Sequence, residues 1–532
     1  MHKVNPKNFL KSDDAKNILK SYLAFTKKNK RYPSSTDMFN SGFNKDSIRY
    51  HFGSLTKLKE TALIHSPKIK GSIISNIIRE SDSSDELQKQ VKNFKRFIIT
   101  SAVSGAPAHV DFLASLHNYC KSNKALLLLM PTDHVMKDAD PKLSGENWVF
   151  GKLNLNSNLC LSNIKVPAKN SNPLTSLARL GQRNGSTIIA SPKQSLEFIA
   201  TGNSSLPHAI MSTGAVTKPN YFDKNGNQDR SSSIAESDHV FGAVVVEIEN
   251  DEIYHFRQVQ FIDKGFVDLG FQYTSKKIIK MNPTHFVIGD YHVTETNPVV
   301  AKAWDEVTSA LGNPVRIHHD FFSGVSINHH EEQDILRKAQ LSKGDKLSLE
   351  KELRECAKIL NQETEKAKTV VIVDSNHHDF LSKHFLAKMK FAMDPLNVEF
   401  ASRLVGAMVN GESPLQYALE KIIGLKHPER IKWLKMDESY TVSGIELGTH
   451  GHKGANGSRG SANTLERAHL NCVVGHSHTP KILRGFWQVG TSTHLRLNYT
   501  QGASSWFNTS CLVYENGSRQ MINCINGKWR LK

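Results

Sequence analysis

The spacing of apolar residues changes along the chain, and the change separates two kinds of predicted structure. Up to about residue 95, apolar residues such as Leu55, Leu58 and Leu63 recur at helical spacing in a basic stretch. Beyond a polar stretch at residues 80–86, the apolar residues form short runs with the length of buried strands. The pattern therefore predicts a small helical N-terminal module followed by a longer α/β region.

The first part of the α/β region, residues 96–280, is predicted to be a middle domain. Phe97–Thr100 and Ala125–Met130 are strand-like, and Gly105–Ser122 between them can form a helix. Further strand candidates follow at Val240–Ile248 and Gln258–Ile262. This span contains no phosphate-binding loop or dinucleotide fingerprint. Its fold class is predictable, but its role is not.

In residues 281–532, apolar runs end in Asp, His and Asn. The segments are Phe286–His292, Val315–Asp320, Val370–Asp379, Gly444–His452 and Cys472–His478. In open α/β sheets, polar residues beyond the carboxyl ends of the strands form a common site. Charged helical stretches at about 329–367 and 381–435 separate these segments and are predicted to be insertions or crossover helices. At 532 residues the chain exceeds the roughly 250–300 residues of a single core, so three domains are expected.

Charge and cysteine content narrow the class of protein. Sixty-eight Lys and Arg against 51 Asp and Glu give a net charge of +17, which attracts polyanions, with nucleic acid preferred over membrane. Ala125–Met130 is far shorter than the roughly 20 apolar residues that span a bilayer, and residues 1–14 lack a signal-peptide core. The 6 cysteines form no C-x-x-C pair, which suits a reducing compartment. We therefore expect a cytoplasmic protein without a membrane partner.

The five polar segments together resemble the signature of the calcineurin-like metallophosphoesterases. This superfamily includes phosphoprotein phosphatases, cyclic-nucleotide phosphodiesterases and the Mre11/SbcD nucleases. The segments read D-x-H at 290–292, D at 320, N-H at 376–377, H-G-H at 450–452 and G-H-x-H at 475–478. The resemblance covers roughly residues 284–495, and it implies a β-sandwich flanked by helices.

The resemblance also implies two metal ions that share one bridging carboxylate. One ion would be held by Asp290, His292, Asp320 and His478, and the other by Asp320, Asn376, His450 and His476. His377 matches the histidine that stabilises or protonates the leaving oxygen in this family. Spacing alone leaves His452 open as an alternative to His450.

The chain departs from the family pattern at two places. His319 precedes Asp320, and Ser375 precedes Asn376, where the family usually has glycine. His378 follows His377 where the family has an acid. A packing or solvated role is favoured for the histidines that are not predicted ligands, which are His318, His319, His329, His330, His378 and His384.

The predicted ligand types suit hydrolysis of a phosphate ester. Two cations about 3.5–4 Å apart clamp a phosphate and lower the pKa of an attacking water. Imidazole combined with carboxylate and amide shifts the preference from Mg²⁺ towards Mn²⁺, Fe or Zn²⁺. We expect two divalent ions, with Mn²⁺ as the first choice and Mg²⁺, Fe or Zn²⁺ as alternatives.

Two basic segments are candidate nucleic-acid contacts. Residues 31–36 and 43–54 resemble the helical repeat found beside homing-endonuclease domains, a helix-turn-helix-like DNA binder. Asn44 is expected to cap a helix that Gly53 ends, with Ile48 and Phe52 pointing inward. The residues left to contact DNA are Lys45, Arg49 and His51.

The second basic segment follows the fourth polar segment directly. In this turn, Lys453 and Arg459 are candidates to contact substrate phosphates, and a solvated loop is the alternative.

Taken together, these patterns predict a metal-dependent DNA nuclease. The alternatives are a phosphatase or nucleotide phosphodiesterase acting on small or protein substrates, and a catalytically inactive DNA-binding scaffold. Related nucleases are commonly dimers, so a homo-oligomer is expected. The chain also resembles early proteins of large tailed phages that degrade host DNA, which would place it in the host cytoplasm.

Overall fold

A computed structural model describes residues 12–29, 32–66, 84–167, 170–202, 206–221, 227–498 and 500–531. Within these residues the protein is mixed α/β, which confirms the predicted class. A small helical module precedes a large body built on three sheets. Arg31, the first residue of the predicted DNA-binding repeat, and residues 80–83 of the polar stretch lie outside the described residues.

The described part of the N-terminal module forms four helices around a core of its own. They are α1 (Asp13–Asn29), α2 (Ser35–Asn40), α3 (Lys45–Phe52) and α4 (Leu55–His65). Tyr22, Met38 and Leu58 are buried in this core. The Asn44 side chain caps α3 by accepting a hydrogen bond from Ser47 N–H at 2.8 Å, and such caps satisfy N–H groups that lack helical partners.

The next part of the chain, residues 84–280, contains four helices and thirteen strands among its described residues. The helices are α5 (Ser84–Gln90), α6 (Val110–Asn123), α7 (Ala178–Asn184) and α8 (Arg230–Ser237). The strands are β1 (Arg96–Ala102), β2 (Ala125–Pro131), β3 (Asn147–Trp148), β4 (Lys152–Asn154), β5 (Leu159–Ser162), β6 (Ser186–Ile189), β7 (Ser195–Ile199), β8 (His208–Ser212), β9 (Gly242–Ile248), β10 (Tyr254–Ile262), β11 (Gly265–Asp268), β12 (Phe271–Thr274) and β13 (Ile278–Lys280).

The predicted strand, helix and strand at the start of this part are confirmed. β1 and β2 pair in parallel, and α6 connects them. The helix starts at Val110, later than predicted, because residues 103–109 are tied to another segment through contacts such as the hydrogen bond from His109 N–H to Val216 O at 2.8 Å. Leu87 and Val91 pack into the large body, so residues 84–93 belong to it and not to the helical module.

The remaining described residues form seven α-helices and eleven strands. The helices are α9 (Pro298–Ala310), α10 (Ile335–Lys343), α11 (Leu349–Lys366), α12 (Asn376–Asp379), α13 (Val398–Val409), α14 (Pro414–Tyr417) and α15 (Ala462–His469). Two π-helical segments continue α12 at Phe380–Leu386 and α14 at Ala418–Ile423. The strands are β14 (His285–Ile288), β15 (Val315–His318), β16 (Val370–Ile372), β17 (Ile431–Trp433), β18 (Thr441–Val442), β19 (Ile445–Glu446), β20 (Cys472–Val474), β21 (Lys481–Leu483), β22 (Phe486–Gln488), β23 (Thr509–Val513) and β24 (Arg519–Asn523).

Three sheets organise these strands. Their orders are β13-β12-β11-β10-β9-β1-β2-β3, β17-β16-β15-β14-β23-β24, and β18-β19-β20-β22-β21-β7-β8-β6-β5-β4. In the six-stranded sheet, β14 to β17 are parallel and β23 runs antiparallel to β14. The segments at about 329–367 and 381–435 contain the helices α10, α11, α13 and α14, and the second also contains β17.

The ten-stranded sheet crosses the predicted boundary between residues 280 and 281. β7 pairs antiparallel with β21, with Leu196 opposite Ile482. Val287 and Trp487 share one buried cluster with Ile188. Residues 96–280 and 281–531 therefore share a sheet and a core. The apolar pattern did not predict this pairing, because the two strands are far apart in the sequence.

The six-stranded and ten-stranded sheets place the polar segments together. Each segment follows a short strand, which is β14, β15, β16, β19 or β20. Within the described residues, no helix has the length and apolar character needed to cross a bilayer.

Candidate metal centre

Residues from all five polar segments meet at one place. Asp290 and His292 follow β14, Asp320 follows β15, and Asn376 and His377 open α12 after β16. His450 follows β19, and His476 and His478 follow β20. The seven predicted metal ligands and the predicted catalytic histidine therefore lie within one cluster of contacts.

Four of these residues have an unusual backbone conformation. The φ angles are 47° at His292, 44° at Asp320, 79° at His476 and 58° at His478. Such left-handed conformations of non-glycine residues cost on the order of 1–3 kcal/mol and tend to cluster at functional sites. Hydrogen bonds hold the segments, including one from His292 N–H to Asp320 O at 2.7 Å.

Two buried carboxylates lie at the centre of the cluster. Asp290 is 0% exposed and Asp320 is 1% exposed. His478 Nε2 lies 3.3 Å from Asp290 Oδ2, and His450 Nε2 lies 3.1 Å from Asp320 Oδ2. Among the described residues, both oxygens of Asp290 and Oδ1 of Asp320 have no hydrogen-bond partner. Buried carboxylate oxygens without donors are costly, and a bound cation would compensate them.

Three groups of side chains have potential ligand atoms within 4.8 Å of one another. They are Asp290 with Asp320 and His478, Asp320 with His450 and His476, and His292 with Asp320 and His377. Asp320, the residue that the family resemblance implies as the bridge, belongs to all three. Asn376 Oδ1 lies 3.1 Å from both His450 Nε2 and His476 Nδ1, so the amide oxygen faces the second group.

Two further histidines, His452 and His319, lie beside the predicted ligands. His452 belongs to none of the three groups, and its ring centroid lies 5.4 Å from that of His450. The geometry thus favours His450 as the ligand of its segment. His319, which was not predicted to be a ligand, is buried, and its Nδ1 lies 3.4 Å from His450 Nδ1. Its position directly before Asp320 was the only sequence signal.

A glycine allows two of the segments to approach closely. A Cβ atom at Gly475 would lie 2.1 Å from Asp290 Oδ1 and 2.9 Å from His319 Cβ. The glycine of the G-H-x-H segment is therefore required by the position of Asp290.

Burial and mutual charge set the protonation of the cluster. Burial raises the pKa of Asp290 to about 8, and the neighbouring charge of Asp320 adds to the shift, while the charge of His450 and the backbone of His476 act against it. Although burial opposes ionisation of Asp320 as well, the charges of His450 and His377 hold its pKa well below its usual value. Burial lowers the pKa of His476 to about 4 and that of His478 to about 3. At neutral pH these two imidazoles are neutral, which is the form that binds a cation.

His377 lies half-buried beside the ligand cluster. Its Nδ1 lies 2.6 Å from the carbonyl oxygen of Ser323. Because a carbonyl oxygen only accepts hydrogen bonds, this contact assigns the ring proton to Nδ1. Its ring centroid lies 4.5 Å from that of His292. Burial lowers its pKa, while the neighbouring Asp320 opposes the shift.

The basic turn after the fourth segment lies at the rim of the cluster. Lys453 and Arg459 face each other across a β-bridge, and Arg459 is exposed. The charge of Arg459 contributes to the lowered pKa of His476, and that of Lys453 contributes to the lowered pKa of His452. The first-ranked cause in both is burial.

The predicted DNA-contacting helix has the expected orientation. In α3, Ile48 and Phe52 are buried, whereas Lys45 and Arg49 are exposed. His51 is half-buried, and its Nδ1 lies 3.4 Å from Ser12 Oγ. Within the helical module, α3 packs against α1 and α4.

Two further histidines have partners that explain them. His318 Nε2 lies 2.6 Å from Glu363 Oε2, and His378 Nδ1 lies 3.0 Å from Asp374 Oδ1. Both contacts agree with the packing role that was predicted for these residues.

The chain is similar in sequence to a phage protein. It is 29% identical to Protein A1 of Escherichia phage T5 over 488 residues, which cover 84% of this chain and 85% of that protein. This similarity is compatible with a phage origin, and the name states no activity. No family model and no solved structure matches the chain.

Proposed function

We propose that this protein is a metal-dependent phosphodiesterase of the calcineurin-like type that cleaves DNA. The observation that carries the proposal is the pair of buried carboxylates, Asp290 and Asp320, which face imidazoles and have three oxygens without a side-chain donor among the described residues, both of Asp290 and Oδ1 of Asp320. A structural role would leave such charges uncompensated, whereas divalent cations would compensate them.

The donor set fits divalent metal ions. Asp290, His292, Asp320 and His478 would hold one ion, and Asp320, Asn376, His450 and His476 the other. Mixed imidazole, carboxylate and amide donors favour Mn²⁺, with Fe and Zn²⁺ as alternatives and Mg²⁺ less suited. When bound, such ions supply positive charge that stabilises the phosphate and lowers the pKa of a water nucleophile.

His377 is the residue of this chain best placed to move a proton. The Ser323 carbonyl holds its Nδ1–H, so Nε2 remains to face the reacting phosphate. An anionic phosphodiester near the ring would raise its pKa and favour a proton at Nε2. That proton could then pass to the departing oxygen, a general-acid contribution of about 10²–10⁴-fold.

Charge at the rim supports DNA as the substrate. Lys453 and Arg459 border the cluster, where they could contact phosphates on either side of the cleaved bond. The net charge of +17 and the exposed Lys45 and Arg49 of the helical module agree with this choice. The similarity to a phage protein is compatible with an early protein that degrades host DNA.

The direct test is cleavage of linear and closed-circular duplex DNA in the presence of Mn²⁺, Mg²⁺ or EDTA. Asp320→Asn keeps the size of the side chain but removes the shared charge, and Asp251→Asn changes an exposed aspartate as the matched control. We expect Mn²⁺-dependent cleavage, lost by at least about 1,000-fold in Asp320→Asn and retained in Asp251→Asn. Cleavage of the closed circle would identify an endonuclease.

Other outcomes would reject the proposal in different ways. Turnover of p-nitrophenyl phosphate with every DNA left intact would indicate a phosphatase for small or protein substrates. Binding of DNA without cleavage of either kind of substrate would indicate an inactive scaffold.

A further inference from the structure

Aromatic rings continue from the metal cluster into the helical insertions. His377 stacks on Phe380 with ring centroids 4.5 Å apart, and Phe380 meets His329 edge-on at 4.7 Å. His329 in turn contacts His330 and His384, each with a centroid distance of 3.9 Å. The ring contacts therefore lead from the predicted catalytic histidine to three histidines outside the metal cluster.

These three histidines, His329, His330 and His384, form what we call the histidine stack. The rings of His329 and His384 are parallel, with an interplanar angle of 1°. His330 is exposed, and His329 and His384 are half-buried. The stack thus lies two ring contacts away from His377, and His330 is its exposed member.

The geometry of the stack argues against a metal site. The lone pairs of an imidazole lie in the plane of its ring, so parallel rings do not direct them at a common ion. Within the described residues, none of the three belongs to a group whose potential ligand atoms converge. Burial, helped by the neighbouring His330 and His384, lowers the pKa of His329 to about 4, so this ring is neutral at pH 7.

The surroundings of the stack suit a nucleotide strand. Exposed Lys388 and half-buried Lys390 lie close enough for their charges to lower the pKa of His384 and His329. A cavity of about 370 Å³ adjoins the stack, and its lining combines the rings of His329 and Phe385 with Lys390, which is paired with Glu332, and with the acidic Glu331 and Asp394. This volume falls within the range of about 300–1,000 Å³ that is typical of small-ligand pockets.

We propose that the histidine stack binds an unpaired nucleobase next to the phosphate that is cleaved. Aromatic faces beside basic side chains are the usual platform for single-stranded nucleic acid, since every base has a face that can stack. The preferred substrate would then be single-stranded DNA, or duplex DNA with a frayed or opened end. This inference rests on the proposed function, because it takes the cleaved phosphate to lie beside His377.

Binding measured without cleavage tests this inference. A single-stranded DNA oligonucleotide that carries 2-aminopurine would be titrated in EDTA, and the quenching of its fluorescence would report stacking. The same sequence as duplex DNA and as single-stranded RNA shows whether an unpaired base is required and whether the sugar matters. The variants are His330→Ala, His384→Ala and His384→Phe, with His427→Ala as a control in the same insertion.

We expect His330→Ala and His384→Ala to weaken binding of single-stranded DNA by about 10-fold and to reduce the quenching. His384→Phe and His427→Ala should bind as the wild type does. Unchanged binding in the alanine variants would overturn the inference, as would equal losses in His384→Phe and His384→Ala. Wild-type affinity that is no higher for single strands than for the duplex would also overturn it.

Hydrolysis of bis-p-nitrophenyl phosphate with Mn²⁺ separates this inference from the proposed function. We expect the stack variants to hydrolyse this substrate at the wild-type rate, since it has no nucleobase. Wild-type protein that fails to hydrolyse it and leaves DNA intact would reject the proposed function. Normal hydrolysis by the wild type, with stack variants that bind DNA as the wild type does, would reject the proposed role of the histidine stack and leave the proposed function intact.

Discussion

Two regions of the protein bury charged side chains almost completely, and they compensate the charges in opposite ways. In the eight-stranded sheet, Arg257 lies between two carboxylates: its Nε is 2.6 Å from Asp268 Oδ1 and its Nη1 is 2.9 Å from Glu247 Oε2. In the metal cluster, Asp290 is equally buried, yet no described side chain donates a hydrogen bond to its carboxylate. We call the first the complete region and the proposed metal centre the incomplete region.

The difference is visible in the pKa values of the two sites. Burial acts against ionisation of Glu247, but Arg257 and its hydrogen bonds lower the pKa to about 2. At Asp290, burial outweighs the opposing charge of His450 and raises the pKa to about 8. A buried carboxylate that has its partner is a structural feature, whereas one that lacks a side-chain partner is what the proposed metal site predicts.

The largest effect is expected from breaking the complete region. Arg257→Met would leave Glu247 and Asp268 buried without their cation, and we expect the free energy of unfolding to fall by about 3–5 kcal/mol. Chemical denaturation measures this loss. Arg179→Met, at an exposed arginine, should change stability by no more than about 0.5 kcal/mol.

The same variant also tests whether the two regions are independent. Arg257→Met should bind Mn²⁺ with wild-type affinity under conditions where it is folded. A parallel loss of Mn²⁺ binding would contradict the distinction between a structural and a ligand-binding cluster.

In the incomplete region, removing a charge should stabilise the metal-free protein. The folded-state pKa of Asp290 lies near 8, above its ordinary value of 3.8. The protonated carboxyl therefore contributes stability that is fully present below about pH 4 and is lost as the pH rises to about 8. In EDTA at pH 8, we expect Asp290→Asn to be more stable than the wild type by about 1–3 kcal/mol.

Added metal should reverse this order. Mn²⁺ at about 100 times its dissociation constant would stabilise the wild type by about 2.7 kcal/mol, and Asp290→Asn by less. Thermal unfolding at pH 5 and pH 8, with and without Mn²⁺, measures both effects. A variant that is less stable than the wild type in EDTA at pH 8 would show that Asp290 is already compensated within the protein.

The contact between Gly475 and Asp290 allows a finer test of the incomplete region. The methyl group of Gly475→Ala would displace the Asp290 carboxylate, and we expect Mn²⁺ affinity to fall by about 10–100-fold. Gly406→Ala is the matched control, because a Cβ there has no neighbour within 4 Å and alanine favours the α13 helix. Calorimetric titration with Mn²⁺ measures both variants, and equal affinities would contradict the assigned role of Asp290.

The sequence was informative where the physical signal is local. The end of α3 at Phe52 could be predicted because an Asn cap, an inward-facing Ile48 and a C-terminal Gly53 specify a helix within a few residues. The meeting of the polar segments was likewise expected, since each follows an apolar run and such runs become neighbouring strands.

The sequence was less informative where partners are distant. The pairing of β7 with β21 depends on complementary edges and shared burial, and neither leaves a periodic signal in either strand. The contact between His319 and His450 could not be predicted from the spacing of residues in the sequence. The two rings stack only when two sheets come together. The histidine stack was missed for the same reason, since His384 lies far from His329 in the sequence.

The smallest effect is expected at the exposed rim, where charges are neither paired inside the protein nor buried. Arg459→Ala should weaken DNA binding only a few-fold and reduce the slope of log affinity against log salt concentration by about 1 for each lost phosphate contact. Lys142→Ala is the control, at an exposed lysine between β2 and β3. Fluorescence anisotropy at several salt concentrations in EDTA measures the slope.

Because the rim charges act on DNA and not on the ions, Arg459→Ala should keep wild-type Mn²⁺ affinity and hydrolysis of bis-p-nitrophenyl phosphate. A loss of either would place Arg459 in the metal centre and not at its rim.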